Sequence, residues 1–133
     1  MFVVTADQIG SRRGVDLVPD LLANLAMRTW PDVALPFVRT VGDEVQGVLT
    51  SAETPLDVVL HLVRLGQWGV GLGIGPGLLG ATAPESSGEA FILARTAVER
   101  AKGRGLPVPV TVEAGDAARA REVEPLVHLL ACV

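Results

Sequence analysis

Residues 69–75 read Gly-Val-Gly-Leu-Gly-Ile-Gly, a strict alternation of glycine with an apolar side chain. Period two is the signature of a β-strand, whose successive side chains point to opposite faces. Here one face is apolar and the other is bare. Glycine weakens a strand interior unless another part of the chain comes close to it, so the pattern demands a tight neighbour on the bare face. The surrounding charge-free stretch, 65–84, holds seven glycines and two prolines and lacks the sustained apolarity of a membrane span.

The remaining elements follow from periodicity and stop signals. The run Phe2-Val-Val-Thr-Ala-Asp7 is short and rich in β-branched residues, and reads as a buried strand ending at Asp7. Residues 15–29 place Val15, Val18, Leu22, Leu25 and Ala26 on one helical face. Residues 36–41 and 44–50 read as a hairpin, with Gly42-Asp43 as a two-residue turn. Thr54-Pro55-Leu-Asp57 offers a capping hydroxyl, an N-terminal proline and an early acid, predicting a helix from Thr54 to about Leu65 that stops at Gly66. Ser86-Ser-Gly-Glu89 has capping-box spacing and opens a helix through Lys102, with Phe91, Ala94, Val98 and Ala101 inward. Residues 107–113 read as an edge strand because of their prolines, and 116–133 as a helical region interrupted at Pro125.

The order strand, helix, strand, strand, helix, strand is a βαββαβ unit. The expectation is an α+β, ferredoxin-like fold over one domain, residues 1–133. Its antiparallel sheet is ordered 4-1-3-2, with helices on one face and a further C-terminal strand and helix.

Charge and cysteine content exclude several classes. With 11 basic against 15 acidic residues, the chain lacks the electrostatic footprint of a nucleic-acid binder. No basic residue precedes the short N-terminal apolar run, unlike a signal peptide, so the expectation is a cytoplasmic protein with no membrane partner. The one cysteine, Cys132, makes no disulfide or CxxC site, and His61 and His128 lie in apolar helical runs without spaced partners. The glycines of Gly75-Pro-Gly77-Leu-Leu-Gly80 match a dinucleotide fingerprint in spelling only, since no helix opens within them.

Chemistry concentrates at two acids. Asp7 ends the first strand, Asp43 lies in the hairpin turn, and a 4-1-3-2 sheet brings the two together. Paired carboxylates call for a positive charge between them, which a divalent cation with oxygen ligands supplies. The turn Gln8-Ile9-Gly10-Ser11 offers backbone N–H groups to a phosphate, with Arg12 and Arg13 as nearby charge. The plain alternative is that each aspartate only terminates a strand.

On these residues the chain resembles the palm domain of class III nucleotide cyclases and GGDEF enzymes. It is more closely similar to the SatD family of bacterial proteins, in Ala-Asp7-Gln-Ile-Gly-Ser-Arg12, in Thr-Val-Gly-Asp43-Glu-Val-Gln-Gly47, and in Gly71-Leu-Gly-Ile-Gly75 leading to Gly88-Glu-Ala-Phe91-Ile-Leu-Ala-Arg95. The resemblance implies that Asp7 and Asp43 hold Mg²⁺ or Mn²⁺. It further implies that Gln8, Ile9, Gly10, Ser11, Glu44 and Gly88 surround a nucleoside triphosphate, and that a homodimer forms. Cyclases follow the glycine equivalent to Gly88 with an asparagine and an arginine that stabilise the reacting phosphate. Ile92 occupies the first position, and Arg95, the candidate catalytic cation, falls one residue before the second. Val41 likewise replaces the first glycine of GGDEF. The expectation is therefore a metal-dependent nucleotide-binding regulatory domain without cyclase turnover. The alternatives are an active nucleotidyl- or phosphoryl-transfer enzyme and a structural dimerisation module.

Overall fold

The computed structural model describes residues 1–10, 14–103, 106, 108–116, 120–121, 123–125 and 127–128. Strands β1 (Phe2–Gln8), β2 (Val33–Arg39), β3 (Glu44–Leu49), β4 (Trp68–Ile74) and β5 (Val110–Ala114) form one sheet ordered β2-β3-β1-β4-β5. The helices are α1 (Val18–Ala26), α2 (Thr54–Leu65) and α3 (Glu89–Ala101). The class is α+β. Strand β1 is central and pairs antiparallel with β3 and β4, whereas β4 and β5 are parallel. The sheet is thus mixed, a correction to the antiparallel expectation: β5 follows β4 through a whole helix, the connection that parallel neighbours require.

Helices also cover both faces rather than one. Val4, Ala6, Val45, Leu49, Val70 and Leu72 form a core with Val18, Leu21 and Leu25 of α1 and Val58, Val59 and Leu62 of α2. Val3 and Val48 point the other way and pack with Ala90 and Ala94 of α3. A Cβ at Gly71 would lie 2.3 Å from the Val98 nitrogen, and one at Gly73 2.3 Å from the Ala90 carbonyl oxygen. The bare face of β4 is therefore the bed of α3. The connections β3–α2–β4 and β4–α3–β5 join parallel strands in the same direction across the sheet yet pass over opposite faces, so they have opposite hands. One of the two therefore departs from the right-handed rule for such crossovers. The stretch 75–88 before α3 provides the length for that passage.

Local differences have local causes. The β2–β3 turn uses three residues, Val41, Gly42 and Asp43, because the Thr40 N–H bonds the Glu44 carbonyl at 2.9 Å and the Glu44 N–H bonds that of Val41 at 3.2 Å. Gly42 takes φ 59° there, the left-handed conformation such a turn requires. Pro36 interrupts edge strand β2, whose register shifts on either side of Leu35. Helix α1 is shorter than its apolar pattern, starting where Asp16 Oδ1 accepts the Val18 N–H at 3.0 Å. At α2 the N-cap position is Glu53 and makes no side-chain cap bond, while the Ser51 hydroxyl accepts the Thr54 N–H at 3.4 Å. At α3 no capping box forms: Ser86 Oγ instead accepts the Gly80 N–H at 2.9 Å and donates to the Thr82 carbonyl at 2.8 Å. Residues 120–121, 123–125 and 127–128 are helical, Pro125 among them. No helix among the described residues is long and apolar enough to cross a membrane.

Candidate functional site

Alternation along β1 puts Val3, Thr5 and Asp7 on the α3 face. Asp7 lies opposite Glu44 on one side and Gly69 on the other. The end of α3 passes above Gly69, where a Cβ would sit in ordinary contact, 3.7 Å from Lys102 Cγ. From that position the Lys102 ammonium ion-pairs with Asp7 Oδ2 and lies 3.5 Å from Glu99 Oε1. Asp43 arrives from the β2–β3 turn, where its carbonyl accepts the Gln8 N–H at 3.3 Å. Its carboxyl is near enough to that of Asp7 to raise the Asp7 pKa, and its Oδ2 is buried. The two acids meet at one end of the central strand.

Their electrostatics are unequal. Burial is the main cause that raises the Asp7 pKa above the ordinary carboxylate value, and Asp43 adds to it, while Lys102 acts against both. For Lys102 burial opposes the charge, but contact with Asp7 and Glu99 prevails and holds its pKa above the usual lysine value. An isolated ion pair would lower the acid and raise the base, so the partners disagree in sign. The Asp7 direction reports its burial, which outweighs the contact with Lys102, with Asp43 adding a smaller push the same way.

Beside this pair lies a second polar unit. Glu44 is only 3% exposed, and its Oε1 is 3.3 Å from Arg95 Nη1 of α3. Arg95 Nη2 donates to Oε2 at 3.4 Å, and the Thr40 hydroxyl donates to the same oxygen. Next along the sheet, Gln46 Nε2 donates to Thr5 Oγ1 at 3.0 Å. Glu44 is therefore engaged as the anchor of Arg95.

Other expected site residues are placed elsewhere. The Gln8 side chain turns to the α1 face, where Nε2 donates to the Val15 carbonyl at 2.8 Å and Oε1 accepts the Leu17 N–H at 3.0 Å. The Ile9 N–H is committed to the Gln67 carbonyl at 2.8 Å, so of the supposed phosphate-binding amides Gln8 and Ile9 already serve protein carbonyls. Gly10 is exposed, with φ 73°. Ser11, Arg12 and Arg13 lie outside the described residues, as does Cys132. Gly88 caps the N-terminus of α3, whereas Asp7 meets its C-terminal end; 13 helical residues put roughly 20 Å between them at 1.5 Å each. Gly88 is not part of the acidic site.

Lys102 is the residue beside the two acids that sequence reasoning missed. It is the only lysine in the chain, and its signal was the position of Gly69 on the same bare face that seats α3.

The chain matches no known family model, no curated protein and no solved structure. Among the described residues no group of three or more His, Cys, Asp or Glu side chains is arranged to hold a metal ion. Two neighbouring carboxylates at a strand end fit a hard cation that completes its shell with water and phosphate oxygens, as Mg²⁺ does. They do not fit a closed site of four protein ligands.

Proposed function

We propose that this is a SatD-like, cyclase-palm-like domain of ferredoxin-like βαββαβ design, which binds a nucleoside triphosphate together with Mg²⁺ or Mn²⁺ and signals its presence without cyclising it. The observation that carries the reading is the meeting of Asp7 and Asp43 at one end of β1. In the bound state these carboxylates hold the cation, and Lys102, beside Asp7, is the chain's own cation offered to phosphate. The cation neutralises phosphate charge; the chain's own residues orient it. Turnover lacks support, because Ile92 is 68% exposed and carries no donor, while Arg95 is held by Glu44. Loss of one preorganised transition-state donor typically costs about 10²–10³ in rate.

Thermal denaturation with a panel of nucleoside triphosphates tests this. A ligand that binds only the native state raises its apparent stability. A melting-temperature increase is expected when nucleotide and Mg²⁺ or Mn²⁺ are both present, and its loss in Asp7→Asn. No response to any pair would remove the reading and leave a structural module. Incubation with ATP or GTP and Mn²⁺ should yield no cyclic product; steady production abolished by Asp7→Ala would establish an enzyme instead.

A further inference from the structure

We infer that the recess between α1 and β2 is a binding site for a small carboxylate with an apolar body, such as a medium-chain fatty acid, whose charged end is received by Arg28. The recess lies on the α1 face of the sheet, whereas Asp7 lies on the α3 face, so the site stands independently of the nucleotide reading. It holds about 260 Å³. Its walls are Leu22, Leu25 and Ala26 of α1, Trp30 of the connection and Phe37 of β2, with the exposed Arg28 beside them. The two rings are set by local causes. The Trp30 indole N–H donates to the Leu25 carbonyl at 3.2 Å, and the Phe37 ring uses the space left by Gly47, where a Cβ would stand 2.8 Å from Phe37 Cδ2. Pockets for drug-sized ligands begin at about 300 Å³, so this one suits a smaller molecule. Its apolar walls disfavour a ligand that is polar throughout, whose groups would lose water without finding partners.

Arg28 sets the charge of the ligand. Arginine has donors only, so Nη1 donates to His61 Nδ1 at 2.7 Å; the proton of the neutral ring then sits on Nε2, which donates to Asn24 Oδ1 at 2.7 Å. The guanidinium also lies over the Trp30 ring, 5.1 Å from its centroid. It is thus held by two uncharged groups. Its other N–H groups have no protein acceptor among the described residues, and no carboxylate there pairs with Arg28 or with Arg64. Burial first, then these two arginines, lower the His61 pKa, and no acid counters them. A chain with 11 basic and 15 acidic residues therefore keeps an uncompensated positive spot beside an apolar recess. A planar carboxylate matches the fork of Nε and Nη2, whereas an uncharged apolar molecule would leave that charge unused.

Octanoate, octanol and acetate separate the charged half of the site from the apolar half. Titrated into the isotope-labelled protein and followed by NMR, octanoate should shift the Trp30 indole N–H resonance, while that of Trp68, buried and outside the recess, stays still. A Kd of about 1 mM or tighter is expected for a ligand of this size. Octanol should bind about tenfold more weakly, the worth of one charge-assisted hydrogen bond at an exposed group, and acetate should leave Trp30 unmoved. Arg28→Gln should bring octanoate down to the octanol value. Ala26→Phe, which fills the recess from the exposed end of α1, should abolish the binding of both. Octanol binding as tightly as octanoate would overturn the inference, as would acetate alone reproducing the shift, equal movement of Trp30 and Trp68, or no shift at about tenfold above the expected Kd. Should Arg28→Gln fail to fold, the contrast between octanoate and octanol in the wild type decides. Failure here leaves the acidic site untouched, because the nucleotide panel reads the other face of the sheet.

Discussion

Replacing Gly71 by alanine should lift α3 from the sheet, and its neighbour Gly69 provides the control. The added Cβ at Gly71 would stand 2.3 Å from the Val98 nitrogen and 2.8 Å from the Ala97 carbonyl carbon, both backbone atoms that no rotamer change can move. To restore contact at about 3.5 Å the helix must retreat by about 1 Å. Overpacking of this kind costs typically 1–3 kcal/mol, and a backbone-on-backbone clash belongs in the upper part, about 2–3 kcal/mol. For a chain of 133 residues, between the size classes for which the shift per kcal/mol is known, that amounts to a loss of about 8–12 °C in melting temperature. Gly73→Ala should behave alike, since its Cβ would meet the Ala90 oxygen at 2.3 Å and the Ala94 nitrogen at 2.4 Å. Gly69→Ala, on the same strand and face, meets nothing nearer than 3.7 Å and should stay within about 0.5 kcal/mol of wild type. Differential scanning calorimetry of the three variants is the assay. Should Gly71→Ala and Gly69→Ala melt within about 2 °C of each other, α3 does not rest on β4 as described and the placement of Lys102 over Asp7 loses its foundation.

Two further outcomes concern electrostatics away from the acids. His61 Nδ1 accepts from Arg28 Nη1 at 2.7 Å while Nε2 faces Asn24 Oδ1 at 2.7 Å, and burial, followed by Arg28 and Arg64, lowers its pKa below the ordinary 6.5. The unfolded chain therefore takes up this proton first, and the stability of the neutral arrangement is present above pH 6.5 and lost as pH falls through the lower folded value. His61→Gln should flatten the melting temperature against pH below 6.5, and an unaltered profile would rule this out. Glu124 accepts the Val112 N–H at 2.7 Å and pairs with Arg100 Nη2 at 2.5 Å; burial opposes its charge, but these contacts hold its pKa below the usual value. Glu124→Ala should cost about 1–2 kcal/mol in urea denaturation, more than an exposed ion pair is worth, because it strips a partner from an edge-strand amide. A cost near zero would show that water replaces it.

What could be read in advance depended on how local the cause was. The alternating glycines announced a strand with a close neighbour, and the run ending at Asp7 announced its length, because period two is written residue by residue. The meeting of Asp7 with Asp43 was legible from the order of elements alone. The face chosen by α3 was not, since it depends on which side of the sheet α1 and α2 already fill. The caps misled for a related reason: Ser86 and Thr54 have suitable hydroxyls, yet the surrounding chain directs Ser86 to Gly80 and takes Thr54 into α2 itself, behind Glu53. Lys102 escaped notice because a long side chain acts at a distance from its place in the sequence, here across the sheet from residue 102 to residue 7.

The central position of β1 has a consequence for how the chain acquires its shape. Both partners of β1 come later: Phe2 pairs with Leu49 on one side and Ile74 on the other. On a ribosome, β1 is made first and must wait, apolar and unpaired, until β3 has emerged before it gains one neighbour and until β4 has emerged before it gains the second. Closing such long loops carries an entropic cost that contacts repay only afterwards, which slows folding. During that interval residues 2–6, Phe-Val-Val-Thr-Ala, carry no charge and no proline, so a chaperone that shields short apolar extended segments has its natural client here.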